Sequence, residues 1–253
     1  MNPMGSVISR IGSDFFALMV PGAYVLLCVA ALILSGVPHW DPFSVIAAFN
    51  AKLMTQWPTT VSILVLAYLV GQVIHAFPVN YADELCGSVF GRFAKHTWHK
   101  LLYEDYFPYA PALRKTLSQV KGTHPLAGDA ALPEDGSSLH TTFNYWKMSI
   151  CDASPNLFVF AQAREARVRL YAGMFWSGLA GCGSGVLSLT VAYLFGRSGT
   201  WLALILAQIL ISVIVLSMFG YHLRRVRAQE VDTVFLGYLW LSEKRTLEID
   251  NKE

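Results

Sequence analysis

Apolar residues in this chain are bunched into four long runs, 15–35, 59–77, 170–195 and 201–221, none of which contains Asp, Glu, Lys or Arg. Each reaches the roughly 20 residues that an α-helix needs to cross the hydrocarbon core of a bilayer, so the pattern predicts four transmembrane helices. The first run is longer than the apolar core of a secretory signal and no A-x-A cleavage pattern follows it, so it reads as a retained span. The runs divide the chain into a short amino tail (1–14), a first helix pair (15–77) with an outer loop at 36–58, a polar segment (78–169), a second hairpin (170–221) and a carboxyl tail (222–253). The expected fold class is an all-α integral membrane protein with four transmembrane helices and a helical cytoplasmic module.

The segments between the runs have their own patterns. In the outer loop, Phe43, Ile46, Ala47 and Phe49 form either a short amphipathic turn in the membrane interface or an ordinary connector. Residues 197–200 are too few for anything but a tight turn, so the third and fourth helices must be antiparallel neighbours. In the polar segment, Tyr81, Leu85, Val89 and Phe93 share one face of a helix expected over 80–103, a second short helix is expected over 111–120, and the Gly, Pro, Ser and acidic residues of 121–138 predict a loop. Ser154 followed by Pro155 reads as an N-cap with proline at the first helical position. No breaker separates that helix from the third run, which predicts one continuous rod. Beyond the fourth run, Val231, Val234, Phe235, Tyr238 and Leu241 recur at helical spacing, a stripe that must dock on something, most simply the polar segment.

Composition agrees with a lipid environment: hydrophobic residues make up 54% of the chain and charged residues 14%, about half the usual charged share of a soluble domain. Where the bases sit carries more than the net charge of +2. Of the nineteen Lys and Arg residues, seventeen fall on the amino tail, the polar segment and the carboxyl tail, and two, Lys52 and Arg197, on the outer loops. The positive-inside rule therefore predicts a multi-pass protein of the bacterial inner (plasma) membrane with both termini cytoplasmic. Arg164, Arg167, Arg169, Arg224, Arg225 and Arg227 flank the second hairpin and are candidates for contact with anionic lipid headgroups. The four cysteines, Cys28, Cys86, Cys151 and Cys182, form no C-x-x-C pair, which argues against a disulfide framework or a structural zinc site.

Within the spans, Gly173, Ser177, Gly181 and Gly185 recur every four residues. Helices in lipid associate through close backbone packing and dispersion, so this stripe predicts a tight contact, with another helix of the chain or with a second subunit in a homo-oligomer. Gly178 and Gly183 lie off the stripe and are expected to allow bending; Pro21 and Gly22 are expected to kink the first helix. Gln72, His75 and Gln208 are the main polar groups inside the spans. So few intramembrane ionisable residues count against a coupled transporter. A homo-oligomeric pore lined by Ser, Thr and Gln stays open.

Two histidines, His96 and His99, share a helix face, but with no H-E-x-x-H pattern no metal is expected. Six residues lie between Arg92 and His99, a spacing that resembles the Arg and His motif of HEPN ribonucleases and implies a membrane-bound nuclease or hydrolase as a third alternative. No G-x-S-x-G, Walker or G-x-G-x-x-G motif occurs, so neither an enzyme nor a cofactor is expected, and nucleic acid is not indicated. Taken together, Phe15, Phe16, Val20, Pro21 and Gly22, then Ser154, Pro155 and Leu157, the Arg164, Glu165, Ala166 entry to the third run and Arg224, Arg225 and Arg227 after the fourth resemble small four-span membrane proteins of bacteria. Some similar proteins are membrane subunits of antiphage defence systems. The resemblance implies a membrane anchor, sensor or effector subunit whose cytoplasmic module binds a protein partner, with an ion channel or membrane-perturbing pore as the alternative.

Overall fold

The computed structural model describes residues 3–37, 57–77, 136–196 and 199–250, together with 44, 47, 51, 79, 81, 82 and 85. Five helices carry it: α1 (Pro3–Gly36), α2 (Trp57–His75), α3 (Gly136–Ala153), α4 (Pro155–Leu194) and α5 (Thr200–Asp250). No strand occurs among the described residues. Four of the helices, α1, α2, α4 and α5, are long and apolar enough to cross a membrane, matching the four apolar runs. Between α4 and α5 the chain reverses through Gly196 and Gly199, at φ +60° and +63°, a left-handed backbone that glycine adopts without steric cost. The calls on 80–103 and 111–120, including Val89 and Phe93, lie largely outside the described residues, though Tyr81, Ala82 and Leu85 are helical.

The chain divides into two compact units. The first comprises residues 1–85 and 166–223. In it α1 and α2 pack antiparallel with their backbones almost touching: a Cβ on Gly22 would collide with the Ala67 carbonyl, and one on Gly71 with the Leu18 carbonyl. In lipid such contact is gained where small residues let two backbones approach. α1 runs through Pro21 as one helix, and what Gly22 supplies there is close approach to α2 beside any bend. Helices α4 and α5 are antiparallel, Gly178 lying against Leu216, Gly181 against Ser212 and Gly185 against Ile209. Gly178, expected to permit bending, is therefore a contact residue as well; Gly183 has nothing within 4 Å. Finally α1 and α4 run parallel, since Pro21 meets Gly173 near one end and Gly36 meets Val191 near the other.

The second unit comprises residues 86–165 and 224–253. Its core joins Phe143, Trp146 and Ile150 of α3, Ala161 of α4, and Val231, Val234, Phe235, Leu239 and Leu241 of α5, with Leu157 and Tyr238 packed against them. The ring of Trp146 stacks on Tyr238 at 5.1 Å and meets Phe235 edge-on at 5.1 Å, the offset and T-shaped geometries that the aromatic quadrupole favours. Gly237 lets α5 come close to Ile150 and Leu157. The carboxyl-tail stripe thus docks on α3 and on the start of α4. Between those two helices the chain breaks at Ser154, whose carbonyl accepts the amide of Phe158 at 3.1 Å, with Pro155 at the first helical position where no amide is needed. α3 begins at Gly136, so the last three residues of the loop expected over 121–138 are helical. The turn-forming composition of Gly136, Ser137 and Ser138 masks a first helical turn that has no apolar side chain to announce it.

Candidate functional site

Two sets of side chains stand out, one in each unit. In the first unit the stripe on α4 faces other helices of the same chain. Ser177, fully buried, donates its hydroxyl to the carbonyls of Gly173 at 2.8 Å and Pro21 at 3.1 Å. Gly181 leaves room for Tyr24 and Cys28 of α1 and for Ser212 of α5. Around it runs a polar seam: the Tyr24 and Ser212 hydroxyls bond at 2.8 Å, and Gln208 donates its amide to Ser184 at 3.0 Å. Hydrogen bonds of this kind hold helices together where no water competes. Gln72, by contrast, is exposed on α2, where its amide donates to the Tyr68 hydroxyl at 2.8 Å.

In the second unit four charged groups from three helices converge. The Lys147 ammonium on α3 pairs with Glu165 on α4 and lies 3.8 Å from Oε1 of Glu230 on α5. Arg227, one turn earlier on α5, donates to Oε2 of Glu230 at 3.0 Å. Glu230 is only 2% exposed, and burial raises its carboxyl above the ordinary carboxylate range against the opposing pull of Arg227 and Lys147. It lies nine positions after Tyr221, the end of the fourth apolar run, about 13 Å along a helix, so it stands beyond that run. Sequence reasoning missed this cluster. The signal available was Lys147 flanked by Trp146 and Ile150, a base set on an apolar helix face.

The six juxtamembrane arginines divide. Arg164 donates to the Gln229 side-chain carbonyl at 2.7 Å and Arg227 is engaged with Glu230, so both are committed to contacts within the chain. Arg167 and Arg225 are exposed and Arg169 is half-buried; the side chain of Arg224 lies outside the described residues. The second unit also exposes Phe160 on α4 and Leu236 and Trp240 on α5, Phe160 at 66% and Trp240 at 51%. Among the described residues no three His, Cys, Asp or Glu side chains stand together as metal ligands. Arg92, His96 and His99 lie outside the described residues.

Four apolar membrane-length helices packed through glycines define a multi-pass helical membrane protein. Comparison with family models, curated proteins and solved structures gives no match to this chain.

Proposed function

We propose that the protein is a non-enzymatic anchor, sensor or effector subunit of a bacterial inner membrane, with both termini and the second unit cytoplasmic, and that the second unit binds a protein partner. The observation that carries this reading is the exposure of Phe160, Leu236 and Trp240 on a unit that already has a closed core of its own. Large apolar side chains, aromatic ones above all, left exposed beside a closed core are the residues that anchor protein interfaces. Antiphage defence is the setting suggested by the resemblance of the chain's layout to small bacterial four-span proteins, and a change in phage plating on deleting the gene would test it. Photo-cross-linkers placed at positions 160 and 240 in intact cells test the partner. A discrete adduct with a second, soluble protein is expected; adducts with lipid alone would overturn the reading.

The alternative is a homo-oligomeric ion channel or membrane-perturbing pore. It is favoured by Gln72, a polar side chain exposed on the outside of a transmembrane helix, where a second subunit would supply partners that lipid lacks. Conductance of the purified protein in liposomes, abolished in Gln72→Leu, would select it over the anchor.

A further inference from the structure

Among the described residues Glu230 is the only acidic or basic side chain that is buried, and the anchor reading makes no use of it. The charged groups that face it are Arg227 on its own helix, Lys147 on α3 and Glu165 on α4. Arg164, the other nearby base on α4, is turned to Gln229. With Glu230 ionised the four charges cancel; with Glu230 protonated one positive charge is left over, on Lys147 and Arg227, whose side chains keep 14% and 17% of their surface in water.

We propose that Lys147, Glu165, Arg227 and Glu230 form a proton-operated clasp that sets how firmly α3 is held against α4 and α5. Arg227 lies on the same helix as Glu230 and serves it whether or not α3 is docked. What docking adds is burial of the carboxylate together with Lys147. That ammonium is engaged first with Glu165 and stops 3.8 Å from Glu230, beyond hydrogen-bond length. Docking therefore removes more hydration from an ionised Glu230 than Lys147 returns, whereas a protonated Glu230 is buried at far smaller cost. The docked state binds the proton more tightly than the released state.

The direction of the switch follows by linkage. A carboxyl raised by burial contributes docking stability that is fully present below the ordinary carboxylate value and is lost as pH rises through the raised one. Acidification closes the clasp, and alkaline pH loosens α3. This inference holds whichever partner the second unit binds, because it concerns only contacts within that unit.

Hydrogen exchange of the full chain in lipid nanodiscs tests it, following the α3 amides from about pH 5 to about pH 8 with the intrinsic pH dependence of exchange divided out. Protection of α3 should fall as pH rises, by up to about tenfold for each unit by which Glu230 is raised. Glu230→Gln, a permanently uncharged mimic, should abolish the step and hold α3 protected throughout. Lys147→Met keeps Glu230 but removes its cation, and should move the step to higher pH. A step that persists in Glu230→Gln, protection that rises with pH, or a Lys147→Met midpoint equal to wild type would each overturn the clasp.

Discussion

A Cβ placed on Gly22 of α1 would stand 2.6 Å from the backbone nitrogen of Gly71 on α2, a distance that side-chain carbons do not reach without displacing the backbone. The two glycines are a mutual requirement: each occupies the place where the other helix needs room. Replacing either by leucine should separate α1 from α2 while leaving membrane partitioning intact, since apolar bulk is welcome in lipid. Overpacking of this kind costs about 1 to 3 kcal/mol, with backbone collisions toward the upper end. Thermal unfolding in detergent reads the loss, and Gly183→Leu, which enters open space, should unfold like the wild type. Equal behaviour of all three variants would show that the first hairpin is not tightly packed.

At Gly181 and Gly185 of α4 a similar substitution meets side chains rather than backbone. A Cβ on Gly181 would lie 2.5 Å from the Ser212 hydroxyl, and one on Gly185 2.5 Å from Ile209. Both contacts are within the chain, so Gly181→Leu and Gly185→Leu should lower stability in detergent without changing the number of subunits, read by native gel beside Leu187→Ala as the control on another face. A shift toward monomer at normal stability would move the stripe to a subunit boundary instead.

The parallel run of α1 and α4 requires the residues that precede each of them to share one side of the bilayer. With seventeen of nineteen basic residues on the amino tail, polar segment and carboxyl tail, that side should be the cytoplasm. Reporters fused at Ser137 and at the carboxyl end should both report cytoplasm and one at Phe43 the outside. An external Ser137 would reverse the assignment.

The exposed arginines should be separable from the engaged ones by their salt dependence. Neutralising Arg167 and Arg225 together should weaken association with anionic lipid by about 1 kcal/mol for each charge, an effect erased at high salt. Arg164→Gln and Arg227→Gln should instead lower the stability of the second unit with little change in lipid binding. Native mass spectrometry of retained anionic lipid, with thermal unfolding alongside, distinguishes the two pairs.

Where side-chain chemistry follows a period or a run, this fold is readable from residues alone. The four apolar stretches need only length, and the break at Ser154 with Pro155 needs only cap chemistry. Val231, Val234 and Phe235 announce a buried face because helical spacing survives in them. The tightest of the described glycine contacts does not announce itself: Gly22 and Gly71 are single glycines nearly fifty residues apart, and nothing local says that each faces the other. Gly178 is legible only in part, because a glycine off a stripe looks like a hinge alone until Leu216 is found against it. The charge cluster escaped for a related reason, since Lys147, Glu165 and Glu230 sit on three helices and pair only through tertiary structure. Helix α3 was hidden by a polar first turn, although Phe143, Trp146 and Ile150 carry its core-facing stripe.

Ser177 reaches the Pro21 carbonyl across 156 residues of sequence, and that separation has a consequence for synthesis. At roughly 5 to 20 residues per second, the ribosome delivers α4 on the order of 8 to 30 s after the residues of α1. Once α2 has followed, the pair spends the rest of that interval without α4 or α5 beside it. A first hairpin held backbone to backbone at Gly22 and Gly71 does not need to wait: it can mature as a finished pair and serve as the template on which the later helices are laid. Among the described glycine contacts, the one made earliest in synthesis is thus also the tightest.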